Sequence, residues 1–235
     1  MVNANIVQRT FKIECGNCLG TCFTIDVDNR QYIVTAKHLV EKITGRHTIK
    51  LMHEKKWKNL EVELIGHCKG QVDISVLAAE FQISWGYSLP ATTAGMILGQ
   101  DVYFLGFPYG LMSDVGELNR NFPFPLVKKG VLSTIEPSEG CILLDGHNNP
   151  GFSGGPVVFC QNNRGNDFSV AGVVSGYRYA REPVYKNEEP EENEPPIGYY
   201  RANTGIVLAY DIKYALDLIS QNPIGAELKT GNVKG

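Results

Sequence analysis

The chain has 235 residues, 43% hydrophobic and 20% charged, with 25 glycines, 12 prolines and a formal net charge of −3. Such a chain can bury a core as one large all-β domain or two small ones. Its slightly acidic balance gives no reason to expect nucleic acid as a partner, and no apolar run approaches the length of a bilayer crossing, so no membrane is expected.

The N-terminal stretch MVNANIVQRTFKIECGN lacks a charged start followed by an apolar run, so no secretory signal is expected. Six cysteines in that setting are expected as reduced thiols, in a cytoplasmic protein. The cluster CGNCLGTC places Cys15, Cys18 and Cys22 close together in sequence, which invites a zinc reading. A second C-x-x-C is missing, and Cys22 opens a strand-like run where small buried thiols are common. Ordinary thiols are therefore the preferred reading, with no metal and no cofactor expected.

Strand-like runs follow one another along the chain. They are CFTIDV (22–27), QYIVTA (31–36), HTIKLM (47–52), LEVELIGH (60–67), DISVLAA (73–79), DVYFLGF (101–107), GVLSTIE (130–136), GCILLDG (140–146), PVVFC (156–160), FSVAGVVSGY (168–177) and GIVLAY (205–210). Rich in Val, Ile and aromatics and bounded by Gly, Asn, Asp and Pro, they predict an all-β sandwich or barrel. Residues 28–30, Asp-Asn-Arg, predict a hairpin between the first two runs.

Strand patterning lapses at YSLPATTAG (87–95), which divides the chain into β-modules over residues 1–88 and 89–235 with a cleft between them. The acidic, proline-rich stretch 181–198 is expected to be an exposed loop. One helical turn is expected just after His38, and YDIKYALDLISQ (210–221) carries Ile212, Ala215, Leu216 and Ile219 at helical spacing, with Asp211 as N-cap. Its apolar face is expected to pack on the β-structure.

The stretch NNPGFSGGPVV (148–158) sets Ser153 among three glycines ahead of an apolar strand. GFSGG matches the G-x-S-x-G elbow of α/β-hydrolases, a fold in which the catalytic histidine follows the serine. All five histidines (His38, His47, His53, His67 and His147) precede Ser153, so that reading fails on order. The order His…Asp…Ser remains, with His38 at the end of a strand and Asp73 entering an apolar one.

Each of these residues has a plainer reading by itself. Ser153 could sit in a structural bend, His38 in the core and Asp73 at a strand start. Together in this order they favour nucleophilic catalysis. Ser153 Oγ attacks a carbonyl, His38 moves the proton, Asp73 orients the ring, and the amides of Gly151 and Ser153 hold the oxyanion.

TAKHLV, DISVLA and NPGFSGGPVV resemble the three catalytic blocks of trypsin-like serine peptidases, nearest the bacterial HtrA/Deg type. GTCFTIDVDNRQYIVTAKHLV resembles the first hairpin and histidine block of that type, VYFLGFPYGL its G-x-P-x-G segment, and GIVLAYDIKYALDLI its closing strand and helix. The likeness runs over roughly residues 10 to 221. It implies two six-stranded antiparallel β-barrels of chymotrypsin type with a C-terminal α-helix, the triad between the barrels, and a serine endopeptidase acting on protein or peptide substrates.

By the same resemblance His147 lies at the wall or base of the pocket for the residue before the cut bond. A surface-turn histidine is the equal alternative; if His147 lines the pocket, an acidic pocket for arginine or lysine is not expected. Val174, Ser175 and Gly176 resemble the edge strand that pairs with substrate backbone. Two departures stand out: Phe152 replaces a small polar residue before the serine, and no PDZ module is expected after the peptidase domain. The rival reading is a latent or inactive peptide-binding module of the same fold, activated or supplied with substrate by a protein partner.

Overall fold

The structure, a computed structural model, describes residues 2–85, 87, 89–136, 140–161, 167–187 and 193–229. Helix α1 (Ala4–Gln8) leads into β1 (Thr10–Cys15), β2 (Cys18–Val27) and β3 (Arg30–Thr35); the short helix α2 (Lys37–Val40) precedes β4 (Arg46–His53), β5 (Lys56–His67) and β6 (Ser75–Ala79). The second half holds β7 (Asp101–Gly106), β8 (Leu126–Glu136), β9 (Cys141–Asp145), β10 (Pro156–Cys160), β11 (Phe168–Val184) and β12 (Gly198–Asp211). Helix α3 (Lys213–Gln221) and β13 (Ala226–Glu227) follow.

These strands build the two barrels that the sequence implied. In the first, the order β3-β2-β1-β4-β5-β6 closes through a β3–β6 pairing, and β13 adds to β3 beside it. In the second, β10-β11-β12-β9-β8-β7 forms a closed barrel. Every strand pair is antiparallel, as short connections allow. The 28–30 hairpin forms as expected: Val27 faces Arg30 across the two-residue turn Asp28-Asn29, with φ of 47° and 61°. That left-handed pair matches the twist of the flanking strands.

Three apolar clusters organise the interior. One fills the first barrel around Phe11, Ile33, Ile49, Leu60 and Leu77, and another fills the second around Val102, Phe104, Leu144, Val157 and Val174. The third joins residues of both sheets, among them Phe23, Val34, Leu105 and Val158, with Ile6 of α1 and Ala215 and Ile219 of α3.

The elements depart from expectation in four places. Strand β1, unread in the sequence, forms because Phe11 and Ile13 alternate into the first core, and β13 extends the same sheet at Gln31 and Arg30. The stretch 181–198 is not simply a loop: β11 runs on to Val184 and β12 starts at Gly198, paired residue for residue through Arg181↔Arg201. Residues 188–192 of that stretch lie outside the described residues. Finally, α3 has Ile212 at its cap position, while the Asp211 carboxylate still accepts the Lys213 N–H at 2.9 Å.

Candidate active site

The chain after β3 turns at once into α2, which sets His38 at the barrel rim. The Lys37 amide bonds to the Asp73 carbonyl at 3.3 Å, and Lys37 Nζ donates to the carbonyls of Cys68 (3.0 Å) and Gly70 (2.9 Å), tying down the loop before β6. Asp73 is thereby brought against His38 twice. Its Oδ1 accepts the His38 N–H at 2.8 Å, and its Oδ2 lies 2.6 Å from His38 Nδ1.

Ser175 Oγ donates to the same Oδ2 at 2.6 Å. Burial alone would raise the Asp73 carboxyl; hydrogen bonds from His38 and Ser175, with the charge and amide of His38, outweigh it and hold the group below its ordinary pKa. An ionised partner fixes the proton on Nδ1, leaving Nε2 as the free base. The His38 side chain is 45% exposed and so open to a substrate.

The Ser153 turn is held from every side. The carbonyls of residues 147 to 153 each accept a hydrogen bond. Lys128 Nζ reaches His147 at 2.6 Å, Asn203 Nδ2 reaches Asn148 at 2.7 Å, and the Phe152 amide reaches Asn149 at 3.2 Å. The Tyr109 amide takes Pro150 at 2.8 Å, Thr21 Oγ1 takes Gly151 at 2.7 Å, and the amides of Gly155 and Thr21 take Phe152 and Ser153 at 2.9 Å each.

By contrast, the amides of Gly151 and Ser153 donate to no acceptor among the described residues. The Pro150–Gly151 peptide is trans, so with its carbonyl fixed on the 107–110 segment its N–H points the other way. Two glycines are required here. Gly151 has φ +109°, and a Cβ there would meet the Phe107 carbonyl and Pro108 Cα; Gly154 has φ +83°, and a Cβ there would meet the Thr21 carbonyl of the first barrel.

Phe152, the departure just before the serine, is fully buried in the second barrel. Its ring lies 5.0 Å from Phe104 at 71°, with Lys128 Nζ 5.6 Å from its centroid. The Ser153 hydroxyl donates to the Ser175 carbonyl at 2.9 Å rather than to His38. Ser175 thus bonds both to the Ser153 hydroxyl and to Asp73, and catalytic hydrogen bonds commonly align only when substrate binds.

The remaining residues singled out by sequence fall around this centre. Both backbone groups of Val174 are committed to the turn, its N–H to Gly155 at 2.9 Å and its carbonyl to Gly154 at 2.7 Å, and the Gly176 carbonyl accepts Asn148 Nδ2 at 2.7 Å. His147 is exposed. Cys22 is fully buried in the first core while Cys15 and Cys18 face each other at the β1–β2 turn, so CGNCLGTC does not gather three thiols. Among the described residues no group of three metal-ligating side chains occurs.

Sequence reasoning missed the hydroxyl of Ser175 as a support for Asp73, and it missed Thr21, Lys128 and Asn203 altogether. Ser175 and Asp73 are 102 residues apart, and Thr21 and Gly151 130 apart, so no local signal could have paired them.

Two closed barrels with a histidine–aspartate pair on one and a glycine-held serine on the other define the serine-protease fold. The family model for the trypsin-like peptidase domain matches residues 20–165, and the chain belongs to that family. Solved structures with the same fold include two of the HtrA-type protease AlgW with a tripeptide, one carrying a serine-to-alanine change. Both are 18% identical and cover 94% of this chain and 62% of the other, with TM-scores of 0.59 and 0.58. The serine endoprotease from Yersinia pestis is likewise 18% identical, covering 92% of this chain and 63% of the other, with a TM-score of 0.57. The chain thus spans less than two thirds of the length of these proteins. No curated protein is significantly similar in sequence.

Proposed function

We propose that the protein is a serine endopeptidase that hydrolyses peptide bonds through an acyl-enzyme. The observation that carries this reading is the His38–Asp73 pair, bonded at both the ring and the backbone, beside a serine turn whose carbonyls are all held and whose Gly151 and Ser153 amides meet no acceptor among the described residues. Ser153 Oγ attacks the substrate carbonyl as His38 Nε2 takes its proton; Asp73 stabilises the resulting imidazolium. The two free amides receive the oxyanion, a contribution of about 3 kcal/mol per donor to the barrier. His38 then protonates the leaving amine, and water repeats the sequence on the ester. Protein or peptide substrates and a cytoplasmic location belong to the same proposal, the latter resting on the free thiols of Cys15, Cys18, Cys22 and Cys68.

The bond from Ser153 to the Ser175 carbonyl favours a second reading, a latent enzyme whose serine is parked until substrate or a partner arrives. The tethered carbonyls of the turn support the ready enzyme instead. Fluorophosphonate labelling of the purified protein decides. Labelling of wild type, with none in Ser153→Ala or His38→Ala, is the expected result; a folded wild type that resists the probe means latency.

A further inference from the structure

The outer half of the β11–β12 ribbon carries side chains that the proposed chemistry does not use. The pairing of β11 with β10 ends at Val173, and beyond it β11 pairs with β12 alone. There Tyr179 stands opposite Asn203, Arg181 opposite Arg201 and Pro183 opposite Tyr199. Alternate residues of a strand share a face, so these six side chains lie on one side of the ribbon.

Two arginines directly opposite each other repel. Both are exposed, yet among the described residues neither guanidinium is in an ion pair. Each is stacked instead on the tyrosine diagonal to it: Arg181 Cζ lies 4.2 Å from the Tyr199 ring centroid, and Arg201 Cζ lies 4.6 Å from that of Tyr179. Stacking orients the plane of a guanidinium and leaves the N–H groups at its edge for a bidentate acceptor. The ribbon thus presents two ordered cations without an anion.

Its place ties it to the catalytic centre. The same face meets the serine turn at Asn203, whose Nδ2 donates to the Asn148 carbonyl at 2.7 Å. Along β11, the Ser175 carbonyl accepts the Ser153 hydroxyl, and Arg181 follows in the same strand after about 20 Å of extended chain. A polypeptide with a carbonyl at Ser153 and its preceding residues along β11 reaches the arginines about five to eight residues before that carbonyl. Carboxylates match a guanidinium in charge and in fork geometry. Nucleic acid fits less well, because the arginines cover the tyrosine faces on which bases would stack and the chain has a net charge of −3.

We propose that Arg181 and Arg201 bind an acidic segment of the substrate polypeptide upstream of the bond that is cut. The inference rests on the serine peptidase reading for the course of that polypeptide, but its test is read by binding. Peptides of about ten residues end in a free carboxylate and carry either glutamates or glutamines at about the fifth to eighth residues from that end. Calorimetry on the Ser153→Ala protein at low salt should find the glutamate peptide about fivefold tighter, the effect of two exposed ion pairs. The ratio should shrink toward one in about 0.5 M salt. Adding Arg181→Gln and Arg201→Gln, two exposed changes outside the apolar clusters, should bring it to about one at low salt as well.

Equal affinities for the two peptides in the Ser153→Ala protein, or a glutamate preference that survives the loss of both arginines, would overturn the proposal. So would an oligothymidylate that binds more tightly than the glutamate peptide through the same arginines. Wild-type dimers that dissociate in the arginine variant, seen by sedimentation, would assign the face to a second copy and overturn it too. Fluorophosphonate labelling of wild type is read separately. A labelled enzyme without the glutamate preference refutes the role of the arginines alone. An unlabelled protein that keeps the preference supports that role and refutes the hydrolytic reading.

Discussion

At the residue scale the Asp73 carboxylate organises the site, because it receives His38 Nδ1, the His38 amide and the Ser175 hydroxyl together. Its folded pKa lies below the ordinary value, so its stabilisation is present above the unfolded pKa of about 3.9 and is lost as pH falls through the folded one. Ser175→Ala removes one of the bonds that lower it. That variant should unfold at a higher pH in acid titration than wild type, with the stability difference narrowing as the pH falls through the folded pKa of Asp73. Its kcat should drop about tenfold with a smaller change in KM, since the loss is felt where the imidazolium forms. Gly151→Ala tests the turn directly: a Cβ at φ +109° against the Phe107 carbonyl should displace the free amides and abolish fluorophosphonate labelling while the barrels stay folded by circular dichroism.

At the element scale, the strands readable from sequence were those with one face to bury. Runs such as CFTIDV and PVVFC carry β-branched and aromatic residues into a core, and they became β2 and β10. The ends of β11 and β12 look like loop in the sequence because both faces of that ribbon meet solvent. Glu182, Tyr199 and Tyr200 are exposed, so apolar alternation had nothing to record, and cross-strand stacking of Arg181 on Tyr199 and Arg201 on Tyr179 lends order instead.

The site shows the same division. His38, Asp73 and Ser153 were legible because each lies in a local motif, whereas Lys128 and Thr21 act on the serine turn only through the closure of two barrels. Helix α3 was legible by its period, and Ile219 is its most telling residue, 2% exposed in the cluster shared by both sheets. Ile219→Ala should cost about 2–5 kcal/mol in denaturant unfolding and leave fluorophosphonate labelling of the folded protein intact.

At the scale of the whole molecule the question is whether two barrels make one cooperative unit, since a site lying between them needs both. Their shared cluster argues that they do, and so does a buried polar network at the link. Arg9, 1% exposed, donates through Nη2 to Asp26 Oδ2 and to the Tyr87 carbonyl, both at 2.6 Å, and through Nε to Asn5 Oδ1 at 2.9 Å. One guanidinium thus joins α1, β2 and the segment leading to the second barrel. Gln31 completes it, donating to Asp26 Oδ1 at 3.0 Å and accepting the amides of Ile83 and Ser84. Arg9→Met leaves the Asp26 carboxylate without its cation and should cost about 3–5 kcal/mol. Pairing it with Asp26→Leu should recover part of that loss, because an apolar pair needs no compensation. Fluorescence of Trp57 and Trp85 reports on the first barrel and the link, and hydrogen exchange of β7 to β12 amides reports on the second. In wild type and in both variants the two probes should give one midpoint. A second barrel that stays protected after the tryptophans have shifted would mean that the barrels unfold independently, and that the His38–Asp73 pair can part from Ser153 without global unfolding.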